Sequence, residues 1–173
     1  MDIKAALLAE HSKAQTLMIV DYIGDDQGRF DELLGLFLGE EYRVTQRAAW
    51  VVSHCAEVRP QLVRHHLKTV LDNLERPGLH DAVKRSTTKF LSEIELPEEL
   101  LGQAATLCFD LLASPTEAVA IRVHAMTVLY NICLKEPDLA DELKLLIEDG
   151  MEQGSAGFRS RGRRILKGLA KLQ

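Results

Sequence analysis

The sequence predicts an all-α protein, a solenoid of about five antiparallel helix pairs, and three observations carry that expectation. Leu, Ala and Val supply most of the 46% hydrophobic share, only 5% of residues are aromatic, and Gly and Pro are few, a mixture suited to packed helices. Pro60, Pro97 and Pro137 each open an apolar helical stretch, where the missing N–H costs nothing, and they lie 37 and 40 residues apart. A second marker runs through the helices that follow: Arg47, Arg85, His124 and Arg161 recur at intervals of 38, 39 and 37. Two independent markers therefore share a period near 38, long enough for two helices per unit.

Taken in order, the expected pairs are residues 2–11 with 12–24, 28–39 with 41–57, 60–75 with 79–95, 97–113 with 116–135, and 137–152 with 155–172. Turn chemistry separates them at 24–28, 39–41, 76–78, 113–116 and 153–155, with Ser12, Thr116 and Ser155 as expected N-caps. Leu67, Val70, Leu71 and Leu74, then Leu107, Cys108, Leu111 and Leu112, keep a 3.6-residue period and are expected in the core. No linker is long enough to divide the chain, so residues 1–173 are expected to form a single repeat domain.

Cys55, Cys108 and Cys133 are odd in number, widely spaced and set among apolar neighbours, which predicts buried reduced thiols. The first ten residues carry Asp2, Lys4 and Glu10 where a signal peptide needs an apolar run, and no stretch is apolar enough to span a bilayer, so the expected location is cytoplasmic. Charge is uneven along the chain. Residues 155–173 hold Arg159, Arg161, Arg163, Arg164, Lys167 and Lys171 without an acid; setting those six aside leaves 15 basic against 26 acidic residues, a net of −11, for residues 1–154. An acidic body with a basic end disfavours broad nucleic-acid affinity and allows one local anion-binding region.

On the helix expected at 41–57, Val44, Ala48, Val51 and Cys55 form the core stripe, and Arg43, Arg47, Trp50 and His54 share the adjacent face. Carrying the register forward adds Asp81, Arg85, Thr88 and Ser92, then His124, Thr127 and Asn131, then Arg161 and Arg164. Such a ladder suits an anion, because guanidinium groups grip carboxylate or phosphate in bidentate fashion and an indole offers a flat platform. The same arginines could instead pair with acids such as Glu40, Glu41 or Asp81 and tie unit to unit. His54 beside Cys55, and His65 beside His66, lack metal-ligand spacing, since adjacent helical residues point apart. No cofactor or metal is expected.

The small residues Ala48, Ala49, Ser86, Ala125 and Gly162 fall where neighbouring units must approach. With Val44-Thr-Gln-Arg47-Ala48-Ala49 and Ile121-Arg-Val-His124-Ala125, the pattern resembles the second helix of HEAT or armadillo-like repeats. That resemblance implies a right-handed α-α superhelix (solenoid) whose second helices line a concave binding face. The expected function is a noncatalytic interaction scaffold, binding an acidic protein, peptide or other anion through Arg43, Arg47, Trp50, His54, Arg85, Thr88, His124, Asn131, Arg161 and Arg164. The alternative is a DNA-binding or base-excision protein: repeat proteins of the DNA alkylation repair type have a similar architecture, and Trp50, Asp81 and Arg85 match the residue types they use. Gly154-Ser-Ala-Gly157 resembles a loop of the fumarase and adenylosuccinate lyase superfamily, but the Met-Pro-x-Lys continuation is absent. No Walker loop, dinucleotide fingerprint, catalytic triad or paired catalytic carboxylates is visible. Oligomeric state is left open.

Overall fold

A computed structural model describes residues 1–172; residue 173, the last position of the expected domain, lies outside them. Helices account for nearly every described segment outside the turns, and no strand occurs among the described residues. Contacts divide the chain into two compact units, residues 1–94 and residues 95 onward.

The first unit begins with α1 (Ile3–Ala9) and α2 (Lys13–Ile23). Asp2 caps α1 and Ser12 caps α2, each side chain accepting from the N–H three residues on. Next come α3 (Gln27–Phe37), capped by Asp26, and the 17-residue α4 (Tyr42–Val58). Pro60 opens α5 (Pro60–Arg64), as its fixed φ favours, but the helix expected over 60–75 breaks at His65 and His66 and resumes as α6 (Leu67–Leu74). The turn through Gly78, at φ 72°, leads into α7 (Asp81–Leu91). Helix α4 packs against α1, α2, α3 and α7, so it is the spine of this unit. Its stripe of Val44, Ala48, Val51 and Cys55 is buried, and Phe30, Phe37 and Phe90 fill the core around it.

The second unit holds α8 (Glu98–Ala113), α9 (Val119–Cys133), a 3₁₀ turn at Pro137–Leu139, α10 (Ala140–Gln153) and α11 (Ala156–Leu169). Pro97 stands at the N-cap of α8, and Ser155 caps α11 by accepting from the Phe158 N–H. Thr116 does not cap α9: that helix starts later, after Ala118, and the Thr116 hydroxyl lies 3.0 Å from that of Ser114. Cys108 and Leu112 are buried as expected, but Leu107 and Leu111 are only half-buried, because the inward stripe of α8 runs through Leu101, Ala104, Ala105 and Cys108 instead. Helix α11 packs on both α9 and α10. Gly162 makes that approach feasible, since a Cβ there would stand 2.9 Å from Ile147 Cγ2 and 3.0 Å from Met151 Sδ.

All three cysteines are buried and unpaired, and burial pushes the Cys55 and Cys108 thiols up to about 12 and that of Cys133 to about 11. A thiol held there is neither a nucleophile nor a ready metal ligand at neutral pH.

Polar links repeat with the same period as the sequence. Within the first unit Arg47 Nη1 donates to the Leu7 carbonyl across 40 residues, Arg76 Nη1 to the Leu38 carbonyl across 38, and His80 meets Tyr42 Oη at 2.8 Å across 38. Within the second, Lys135 Nζ reaches the Glu95 carboxylate and the Leu96 carbonyl across 40 and 39. Arg47 and Arg76 thus satisfy helix-end carbonyls of the module before their own, groups that a helix terminus leaves unpaired. These ties, together with the buried small residues Ala48, Ala49, Ser86, Ala125 and Gly162, are what stack neighbouring modules.

Candidate functional site

The residues expected to form a binding ladder separate into those the structure uses internally and those it leaves open. Arg47 is half-buried and its guanidinium is committed to the Leu7 carbonyl at 2.7 Å. Arg161 is likewise half-buried on α11 and donates to the Thr127 hydroxyl of α9; its pKa is lowered by desolvation and by the neighbouring Arg164 charge. Neither pairs with an acid. Glu41 instead binds Lys4 at 2.6 Å and Glu40 binds Arg76 at 3.3 Å.

Thr88 is fully buried, and its hydroxyl returns to the Lys84 and Arg85 carbonyls of its own helix, so it presents nothing to a ligand. His124 and Asn131 are half-buried on α9 and each already has a partner within the structure. Arg164 is exposed on α11.

The other open members lie in the first unit. Arg43 lies on the first turn of α4, exposed, and Arg85 lies exposed on the neighbouring α7; neither guanidinium makes a hydrogen bond or ion pair among the described residues. Between them in chain order stands Trp50, 37% exposed, with the His11 ring 5.5 Å away and the His54 ring 5.9 Å away. His54 Nδ1 lies 3.8 Å from the Glu57 carboxylate, which also receives Lys89 of α7 at 3.3 Å. Asp81 is exposed at the start of α7. The arrangement offers two free guanidinium groups for carboxylate or phosphate and an indole face edged by imidazoles.

Arg159, Arg163, Lys167 and Lys171 lie outside the expected ladder, on the terminal 158–171 segment that the sequence offers as a candidate assembly surface. Arg159, Arg163 and Lys167 stand one helical turn apart along a single face of α11, and Lys171 follows in the turn beyond it, all exposed. The signal that could have singled them out was an unbroken i, i+4 row of one sign with no acid in reach. Arg122 was also passed over; it donates to the Leu112 carbonyl at 3.0 Å and lies 4.8 Å from the Phe158 ring centroid, an internal role. The Gly154–Gly157 segment that resembles a lyase loop serves as the turn between α10 and α11, with Ser155 as its cap.

No helix among the described residues is long and apolar enough to cross a membrane. No curated protein and no solved structure matches the chain. A family profile described as the HEAT repeat domain matches residues 3–169, almost the whole length. The period near 38, the paired helices and the module-to-module ties are what that family's architecture requires. The chain belongs to the HEAT repeat family.

Proposed function

We propose that the protein is a noncatalytic interaction scaffold that binds an acidic protein segment on the α4–α7 face of its first unit. HEAT repeats generally serve as protein-interaction scaffolds, which supports the class of function. One observation supports the site: of the ladder residues in this unit, Arg43 and Arg85 are exposed with no partner among the described residues, and the indole of Trp50 on α4 is more than a third exposed. Charged side chains that neither cap a helix nor join two modules are available to a partner. Arginine suits the task because its planar fork takes both oxygens of a carboxylate, and the aromatic face adds apolar contact at small entropic cost. Arg47 contributes by holding α4 against α1, and Thr88 by filling the interior.

Trp50 is the only tryptophan in the chain, so intrinsic fluorescence reports this face alone. Titration with a panel of Asp/Glu-rich peptides is expected to shift Trp50 emission saturably, and R43E together with R85E to abolish the response while far-UV circular dichroism stays unchanged. A binding peptide that leaves Trp50 emission unmoved, or that binds the double variant as well as the parent, removes this site.

A further inference from the structure

We propose that the last helix pair, α10 and α11, is a docking face for a second copy of this chain. The two helices carry opposite charges. Arg159, Arg163 and Lys167 occupy successive turns of one face of α11, with Arg164 beside them and Lys171 in the turn just beyond; each like-charge step at that spacing destabilises the isolated helix. None of the five forms an ion pair among the described residues. Helix α10 carries the complement. Glu142, Glu148, Asp149 and Glu152 are exposed and equally unpaired, and they surround Leu145, which is 67% exposed. Acids and bases on adjacent helices therefore fail to neutralise one another, although each helix supplies what the other lacks.

The two faces meet along a seam. Lys144 and Glu148 of α10, with Leu166, Leu169 and Ala170 of α11, line a shallow depression of about 190 Å³. Helical spacing puts Glu152 on the Glu148 edge of that seam, and Arg159 and Arg163 on the Leu166 edge. A two-fold axis parallel to the helices sets α10 of one copy against α11 of the other, twice over, so the acids Glu148 and Glu152 meet the bases of the partner's α11, Lys144 being a cation on the α10 side, and the assembly closes as a dimer. Exposed Leu145 and the apolar floor of the depression supply the dry centre that such an interface needs.

A polyanion is the poorer fit. Packed helices lie about 8–10 Å apart, comparable to the screening length of about 8 Å at physiological salt. A nucleic acid or anionic bilayer approaching α11 would meet the carboxylates of α10 at almost the same range. A second copy presents both signs and meets each with its opposite.

The test is sedimentation equilibrium of the full-length chain at low and high salt, with two charge-reversed forms. R163E/K167E reverses two cations on the α11 side of the seam, and E148K/E152K reverses two acids on the α10 side. Parent protein is expected at twice the chain mass at low salt, each variant alone to dissociate by about tenfold or more, and an equimolar mixture of the two variants to recover the double mass as a heterodimer. The substituted positions are exposed, and circular dichroism verifies folding. A parent that stays monomeric at every concentration, including one that binds DNA or anionic vesicles as a monomer, overturns the proposal. So does a dimer that both variants form as well as the parent.

Discussion

Arg47 Nη1 donates to the Leu7 carbonyl at 2.7 Å, which places a cation of α4 on the last turn of α1, where the helix dipole leaves partial negative charge. The bond closes one of the carbonyls that α1 cannot satisfy itself. Its worth is that of a charged hydrogen bond in a half-exposed setting, so Arg47→Ala is expected to cost about 1–2 kcal/mol. Urea unfolding should show a lower midpoint at unchanged slope, and no change would mean that α1 is held by its apolar residues alone.

Thr87 is the opposite case. It is 1% exposed, and its hydroxyl has no hydrogen-bond partner among the described residues. Thr87→Val keeps the β-branched shape and removes a buried polar atom, so it should stabilise the protein by about 1 kcal/mol. A thermal melt that moves downward would show that the hydroxyl is satisfied in solution.

Glycines on the helices predict contrasting outcomes from one substitution. A Cβ at Gly150 would lie 2.6 Å from Phe158 Cζ, and Phe158 is 1% exposed, so the ring has little room to yield. Gly35 and Gly102 meet nothing within 4 Å. Gly35→Ala and Gly102→Ala should each gain about 1 kcal/mol from helix propensity, whereas Gly150→Ala should lose about 1–3 kcal/mol from overpacking. Chemical denaturation of the three variants decides the matter, and a stabilised Gly150→Ala would contradict the packing described around Phe158.

Asp31 gives the fold a pH dependence with a definite sign. Gln27 Nε2 donates to its carboxylate at 2.8 Å and His66 stands 2.7 Å away, holding the carboxyl below its usual range against a smaller desolvation effect. A depressed pKa means that the folded state favours the charged form. The stabilisation is therefore complete above the unfolded carboxylate value of about 3.9 and is lost as pH falls through the lower folded value. Asp31→Asn should weaken the protein at pH 7 and make much less difference at pH 3, as urea titrations at both values would reveal. An equal deficit at both would indicate a packing role for the side chain rather than a charge role.

The module boundaries were legible because they rest on local chemistry. Ser12 and Ser155 cap the helices expected of them, Pro60 opens α5, and the α4 stripe of Val44, Ala48, Val51 and Cys55 lies inward as its spacing requires. What escaped depended on residues a module away. The break between α5 and α6 coincides with His66, whose ring is tied to Asp31 and Gln27 some 35 and 39 residues earlier. Thr88 sits on the polar side of its helix by periodicity, yet it is fully buried, since periodicity gives a direction and not what covers it. Of the ladder, periodicity put Arg47 and Arg161 at matching repeat positions but could not tell that each side chain donates to a neighbouring helix.

The polar ties that join modules all span between 32 and 40 residues. That distance is fixed by the length of one module, so it would not grow if the protein were extended by duplication. Relative contact order falls as such a chain lengthens, and the entropy of closing each loop stays constant. An ancestor could therefore add or shed modules with little penalty to its folding rate, leaving natural variation in this architecture free to act on the length of the array.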